Sequence, residues 1–151
     1  MCIDGKNQER THLVMKIVVL AGGTSTEREI SIISGTGVCR ALRQKGHQAV
    51  LVDVFAGMEE VKIEEIFDGE YDVDAAVEYI CSFNDKIPKM QRERREFFGP
   101  NVLELCKAAD VVFLALHGAN GEDGKVQAAL DLNGIKYTGA GHTSSAMAMD
   151  K

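Results

Sequence analysis

No stretch of this 151-residue sequence approaches the roughly 18 consecutive apolar residues that a membrane-spanning helix needs. The opening "MCIDGKNQERTHLV" is polar and does not read as a signal peptide. Basic charge is in deficit: 17 Lys and Arg against 23 Asp and Glu leave −6, which argues against nucleic acid or an acidic membrane as partner. The four cysteines, Cys2, Cys39, Cys81 and Cys106, are widely spaced and form no CxxC pair. That spacing offers no zinc site and suggests free thiols in a reducing compartment, so a cytoplasmic location is expected. Internal repeats and low-complexity tracts are absent as well. What is left, at 45% hydrophobic and 26% charged, is an ordinary globular composition with length for one domain.

Short apolar runs alternate with helical patterns along most of this length. "KIVVL" reads as a strand over Ile17 to Leu20, closed by Gly22 and Gly23. The next stretch, "TSTEREISIISGTGVCRALRQKGH", predicts a helix with Thr26 and Glu29 at capping-box spacing and Gly46 as its stop. Ile30, Ile33, Gly37 and Ala41 share one helical face there, and its small members suit packing on a sheet. "QAVLVDVF" follows as the second strand. Residues 57–100 are charge-rich and weakly patterned, and "KMQRERRE" at 89–96 reads as a solvated helical face rather than a nucleic-acid patch. After them come a short helix in "NVLELCKAA", a third strand in "DVVFLAL" and a helix from about Glu122 to Asn133, with Val126, Ala129 and Leu130 inward and Gly134 as its stop. A fourth strand, "IKYTG", precedes the helix start "HTSSAMAMDK", capped by Thr143 or Ser144. Apolar strands alternating with helices predict an α/β, Rossmann-like, three-layer domain. Its sheet is mostly parallel, with about four strands in the order 2-1-3-4.

"HGANGEDG", residues 117–124, follows the third strand directly. It is not a P-loop: Asp123 stands where the second glycine belongs, and Val126 follows Lys125 where a hydroxyl should bind magnesium. "AGGTST", after the first strand, lacks the spacing of a dinucleotide fingerprint, and the alternating acids of an EF-hand are missing. The acids Glu122 and Asp123 could simply complement a helix macrodipole, with the glycines shaping a turn and His117 structural. Position favours more than that. In an open parallel sheet, ligands bind beyond the carboxyl ends of the strands. Both glycine loops, Gly22 to Glu27 and His117 to Gly124, should end there. Such a corner suits a zwitterion, its ammonium facing a carboxylate and its carboxylate facing amides or a cation.

Three stretches, "VVLAGGTSTEREISIISG" (18–35), "HGANGEDGKVQAALDLNGIKYTG" (117–139) and "SSAMAMDK" (144–151), closely resemble the N-terminal domain of D-alanine–D-alanine ligases. These are ATP-grasp enzymes of peptidoglycan synthesis. The middle stretch fits the family's H-G-x-x-G-E-D-G signature completely. The resemblance covers residues 15–151, more loosely over 57–100.

Residues 1–14 show no periodicity and are expected to be a disordered extension; by the resemblance, 15–151 form a pre-ATP-grasp domain truncated at the start of the central ATP-grasp domain. Glu27 looks like the carboxylate that contacts the ammonium of the first D-alanine. His117 looks like the histidine beside that substrate, Glu122 its supporting acid, and Lys151 the first of two lysines that reach ATP phosphates. In the family, ATP phosphorylates the first D-alanine and the amine of the second attacks the acyl phosphate, with magnesium held by acids of later domains. No metal ligand is expected among these residues, and the fragment alone is expected to be inactive. A homodimer is the family's lean. Two other expectations differ in function: a D-alanine–D-lactate ligase fragment, and a non-catalytic module that binds a small ligand or a partner.

Overall fold

The protein is described by a computed structural model over residues 13–118 and 124–138. In chain order its elements are β1 (Lys16–Ala21), α1 (Arg28–Gln44), β2 (Gln48–Asp53), α2 (Val73–Cys81), α3 (Ile87–Glu93), α4 (Val102–Ala108), β3 (Val111–Leu114), α5 (Lys125–Leu132) and β4 (Tyr137–Thr138). The four strands form one sheet in the order β2-β1-β3-β4, parallel at every pairing. Fold class and strand order are therefore as the sequence predicts.

Alternation along β1 accounts for the layers. Val18 and Leu20 belong to a core with Val50, Val52, Val112, Val102 and Leu105 of α4, and Val126 and Leu130 of α5. Ile17, Val19 and Ala21 face the other way, into a core with Ala49, Leu51, Ile32 and Cys39 of α1, and Val73 and Ile80 of α2. Successive strand side chains point to opposite faces, so a strand buried on both must be apolar throughout. That is why β1 and β2 read as nearly unbroken apolar runs.

Helix α1 departs from expectation in two respects. It starts at Arg28 with Glu27 as N-cap, and no side chain caps it. The Thr26–Glu29 capping box does not form; instead the Ser25 hydroxyl accepts the Glu27 N–H at 3.2 Å and the Ser25 carbonyl accepts that of Arg28 at 3.1 Å. The face on the sheet is also not the one expected. Ile30 and Ile33 are 52% and 72% exposed, and Gly37 and Ala41 are exposed too, while Arg28, Ser31, Ile32, Gly35 and Cys39 are buried. The helix carries two stripes at helical spacing, and the buried one includes an arginine and a serine that only internal partners make tolerable. Gly35 is where it comes closest: a Cβ there would lie 2.8 Å from that of Ala21. Its stop is as expected, at Gly46 with φ +92°, and α5 likewise ends before Gly134 with φ +68°. Residues 57–100 supply α2 and α3. The helical face expected over 89–96 stops at Glu93: Lys89 and Arg92 are exposed as predicted, but Arg94 is extended and turns in, donating to the Phe55 carbonyl and lying over the Phe55 ring.

The buried partners form one knot. Arg28 Nε donates to Asn84 Oδ1 at 2.9 Å, Nη1 to the Gly23 carbonyl at 2.9 Å, and Nη2 to the Ile80 carbonyl at 3.1 Å. Nη2 also lies 2.6 Å from Asp53 Oδ2, an ion pair rather than an aligned hydrogen bond. Asp53 Oδ1 accepts the N–H groups of Gly23, Phe55 and Ala56 at 3.2, 3.0 and 3.2 Å. Two charges thus tie the loop after β1 to the end of β2 and the α2–α3 connection.

Removing one member of a buried pair strands the other charge, so Asp53→Asn should cost about 3–5 kcal/mol in urea unfolding. The exposed Arg40–Asp74 pair should yield about 1 kcal/mol or less on Asp74→Asn. Equal costs would deny the knot its role. Burial pushes the thiols of Cys39 and Cys106 up to about 11 and about 12 from an ordinary 9.0, whereas Cys81 is exposed. Iodoacetamide at neutral pH should therefore modify Cys81 well before the other two. Because the folded-state values are raised, the contribution of the protonated thiols to stability is complete below pH 9.0. It should decline as pH rises towards 11, and a Cys39→Ala, Cys106→Ala variant should lose less stability over that range.

Candidate functional site

The β1 and β3 strands are paired and parallel, so the loops that leave their carboxyl ends emerge side by side. Ser31 fastens the two. Its hydroxyl donates to the Ala115 carbonyl at 2.8 Å and accepts the Gly22 N–H at 3.0 Å. One turn on, Ser34 Oγ meets His117 Nε2 at 3.1 Å. From the loop itself, the Ser25 hydroxyl donates to the His117 carbonyl at 3.0 Å. His117 is therefore gripped twice, by its backbone and by its ring.

Glu27 reaches the same place from the start of α1. Gly118 has φ +70°, and a Cβ there would lie 2.9 Å from Ser25 Oγ and 3.1 Å from Glu27 Oε2. Only glycine permits that approach without strain, so the carboxylate rests against the backbone just after His117. It is half-buried, and among the described residues no cation pairs with it. The structure thus brings Glu27 and His117 to one corner beyond the strand ends. Glu122 and Lys151 lie outside the described residues.

The glycines of the loop after β1 do not present free amides to a phosphate. The amides of Gly22 and Gly23 are already bonded to Ser31 Oγ and Asp53 Oδ1, and a carboxylate beside them would repel an anion. Among the described residues no group of three or more His, Cys, Asp or Glu could hold a metal ion. Among the described residues the corner offers one carboxylate, an imidazole and two serine hydroxyls in a partly desolvated niche. That chemistry suits a small cationic or zwitterionic ligand.

Sequence reasoning expects Glu27 and His117 at this corner but misses the residues that place them. Asp53 had a signal, an acid within the apolar run "VLVDVF". Arg28, Ser25, Ser31 and Ser34 had none, because a polar residue in a helical pattern reads as solvated unless its partner is known.

Comparison with known proteins identifies the family. The family model described as "D-ala D-ala ligase N-terminus" matches residues 16–140. The D-alanine–D-alanine ligase of Lacticaseibacillus casei is 50% identical over 141 residues, covering 91% of this chain and 40% of its own length. That of Pediococcus pentosaceus is 47% identical over 146 residues, again 91% and 40%. The chain thus spans about 40% of the length of these relatives. A solved D-alanine–D-alanine ligase from Bacillus anthracis, complexed with ATP, has a TM-score of 0.51 at 25% identity, covering 87% of this chain and 31% of that one. The Coxiella burnetii enzyme shares the fold, with a TM-score of 0.54 over 91% of this chain and 38% of that one, at 23% identity. With a family model over most of its length and the site corner built from the same segments, the chain belongs to the N-terminal domain family of D-alanine–D-alanine ligases.

Proposed function

We propose that residues 15–151 are the first-substrate domain of an ATP-dependent D-alanine–D-alanine ligase, a cytoplasmic enzyme that supplies D-alanyl-D-alanine for peptidoglycan. The observation that carries this reading is the Glu27 carboxylate, half-buried against Gly118 beside His117 and without a cation among the described residues. A carboxylate so placed gains most from an ammonium, and the α-ammonium of D-alanine is small enough to enter a corner walled by glycines. In this reading His117 lies along the same substrate and Glu122 supports it.

ATP and magnesium belong to the rest of the enzyme. Lys151 is the one residue of this chain proposed to reach the phosphates. The contribution of the domain is to bind and orient the first substrate: charge for its ammonium and a fixed imidazole beside it. Exposed Ile30 and Ile33 on the outer stripe of α1 support a homodimer joined through this helix.

The test is a chimera in which this chain replaces the matching segment of the Lacticaseibacillus casei ligase. It should release ADP in a D-alanine-dependent reaction. Glu27→Gln keeps size and removes charge. The loss of a charge-assisted hydrogen bond, about 1.5–3 kcal/mol, should weaken apparent affinity for the first D-alanine roughly 10- to 150-fold. His117→Ala should also impair turnover with folding intact. Unchanged kinetics in both variants would refute the site assignment.

A further inference from the structure

Ser34 lies on α1, half-buried, with its hydroxyl 3.1 Å from His117 Nε2. A serine within a helix often returns its hydroxyl proton to the carbonyl four residues back. Thr36, two positions on, does this, donating to the Ile32 carbonyl at 2.6 Å. Ser34 makes no such bond among the described residues, and the imidazole nitrogen is the partner recorded for its hydroxyl.

A neutral imidazole has one donor nitrogen and one acceptor nitrogen, and a hydroxyl has one proton to give. Were Nε2 to carry the ring proton, Ser34 would accept it, and its own proton would have no partner among the described residues. If the hydroxyl donates instead, its proton and Nε2 satisfy each other, and among the described residues only the Nδ1 proton is left over. The other arrangement leaves two groups unmatched there, the hydroxyl proton and the Nδ1 lone pair. We infer that Ser34 donates to Nε2 and thereby holds His117 as the Nδ1–H tautomer. The choice of tautomer follows from the bond that the other nitrogen makes.

Ser34 is thus a positioning residue, and its effect passes through His117. Ser25 fixes the backbone of the histidine and Ser34 its ring, so the imidazole is locked in place and in proton arrangement. With Nε2 engaged as an acceptor, the ring can offer a ligand oxygen a hydrogen bond through Nδ1 but cannot take a proton from a ligand ammonium. That division of labour leaves the ammonium to Glu27 and gives His117 a carboxylate oxygen, and in this respect the inference rests on the proposed function.

The experiment is a long-range ¹H–¹⁵N correlation spectrum of the 151-residue chain labelled at its histidines. It is recorded at about pH 8.5, where an imidazole is ordinarily neutral, with His117→Gln identifying the signals. In the wild type, Nδ1 should resonate as the protonated nitrogen and Nε2 as the bare one. Ser34→Ala should mix or invert the two, and Ser34→Thr, which keeps a hydroxyl, should restore them. A wild-type ring protonated on Nε2, or a tautomer indifferent to Ser34→Ala, overturns the inference. If Ser34→Ala fails to fold, the wild-type spectrum alone still decides, since it shows one tautomer or the other. Adding D-alanine to the same sample tests the underlying reading separately: an unmoved His117 signal would count against the substrate assignment while leaving the Ser34 result standing.

Discussion

Everything at the candidate site hangs from the buried pair of Arg28 and Asp53. Two charges taken out of water are costly, and their attraction alone rarely compensates. Here most of the remaining valences are filled, Asp53 Oδ2 alone resting on the ion pair. The guanidinium donates to two carbonyls and an amide oxygen, and the carboxylate receives three backbone N–H groups. The result is less a contribution to net stability than a fixed geometry. Gly23, the first turn of α1, the end of β2 and the α2–α3 connection cannot move independently. Glu27 precedes Arg28 in the chain, so the position of its carboxylate is inherited from that knot.

The sheet supplies the other half of the placement. Because β1 and β3 are parallel neighbours, the loops from their carboxyl ends open on the same side. Ser31 spans them with one hydroxyl. Gly35, one turn on, brings α1 so close to β1 that serines on the helix can reach across to the loop after β3. Packing on one face of the sheet is therefore coupled to chemistry at its edge. A larger side chain at Gly35 would act on His117 without touching it.

Much of this was legible in the sequence, for identifiable reasons. Both cores reveal themselves because strands buried on two faces must be apolar throughout, and "KIVVLA" and "QAVLVD" are nearly so. Strand order followed from the alternation of strands and helices, and the glycines after β1 and β3 marked where the loops turn. The buried face of α1 is not legible because the helix offers two candidate stripes. The hydrophobic one, Ile30 with Ile33, is the outer one, while the inner one hides Arg28 and Ser31 behind partners distant in the chain. The same limit applies to the cap: Thr26 and Glu29 have the right spacing, but Ser25 bonds first. Periodicity reports which residues share a face. It does not report which face finds partners.

The most direct test of the central claim, that the knot delivers Glu27 and His117 to one substrate, is a crystal structure of the ligase chimera with D-alanine and ATP. The account predicts the ammonium of the first D-alanine within hydrogen-bonding distance of the Glu27 carboxylate, with the His117 ring alongside and its Ser34 bond intact. A first D-alanine seated away from Glu27, or one whose ammonium faces some other acid, would contradict it.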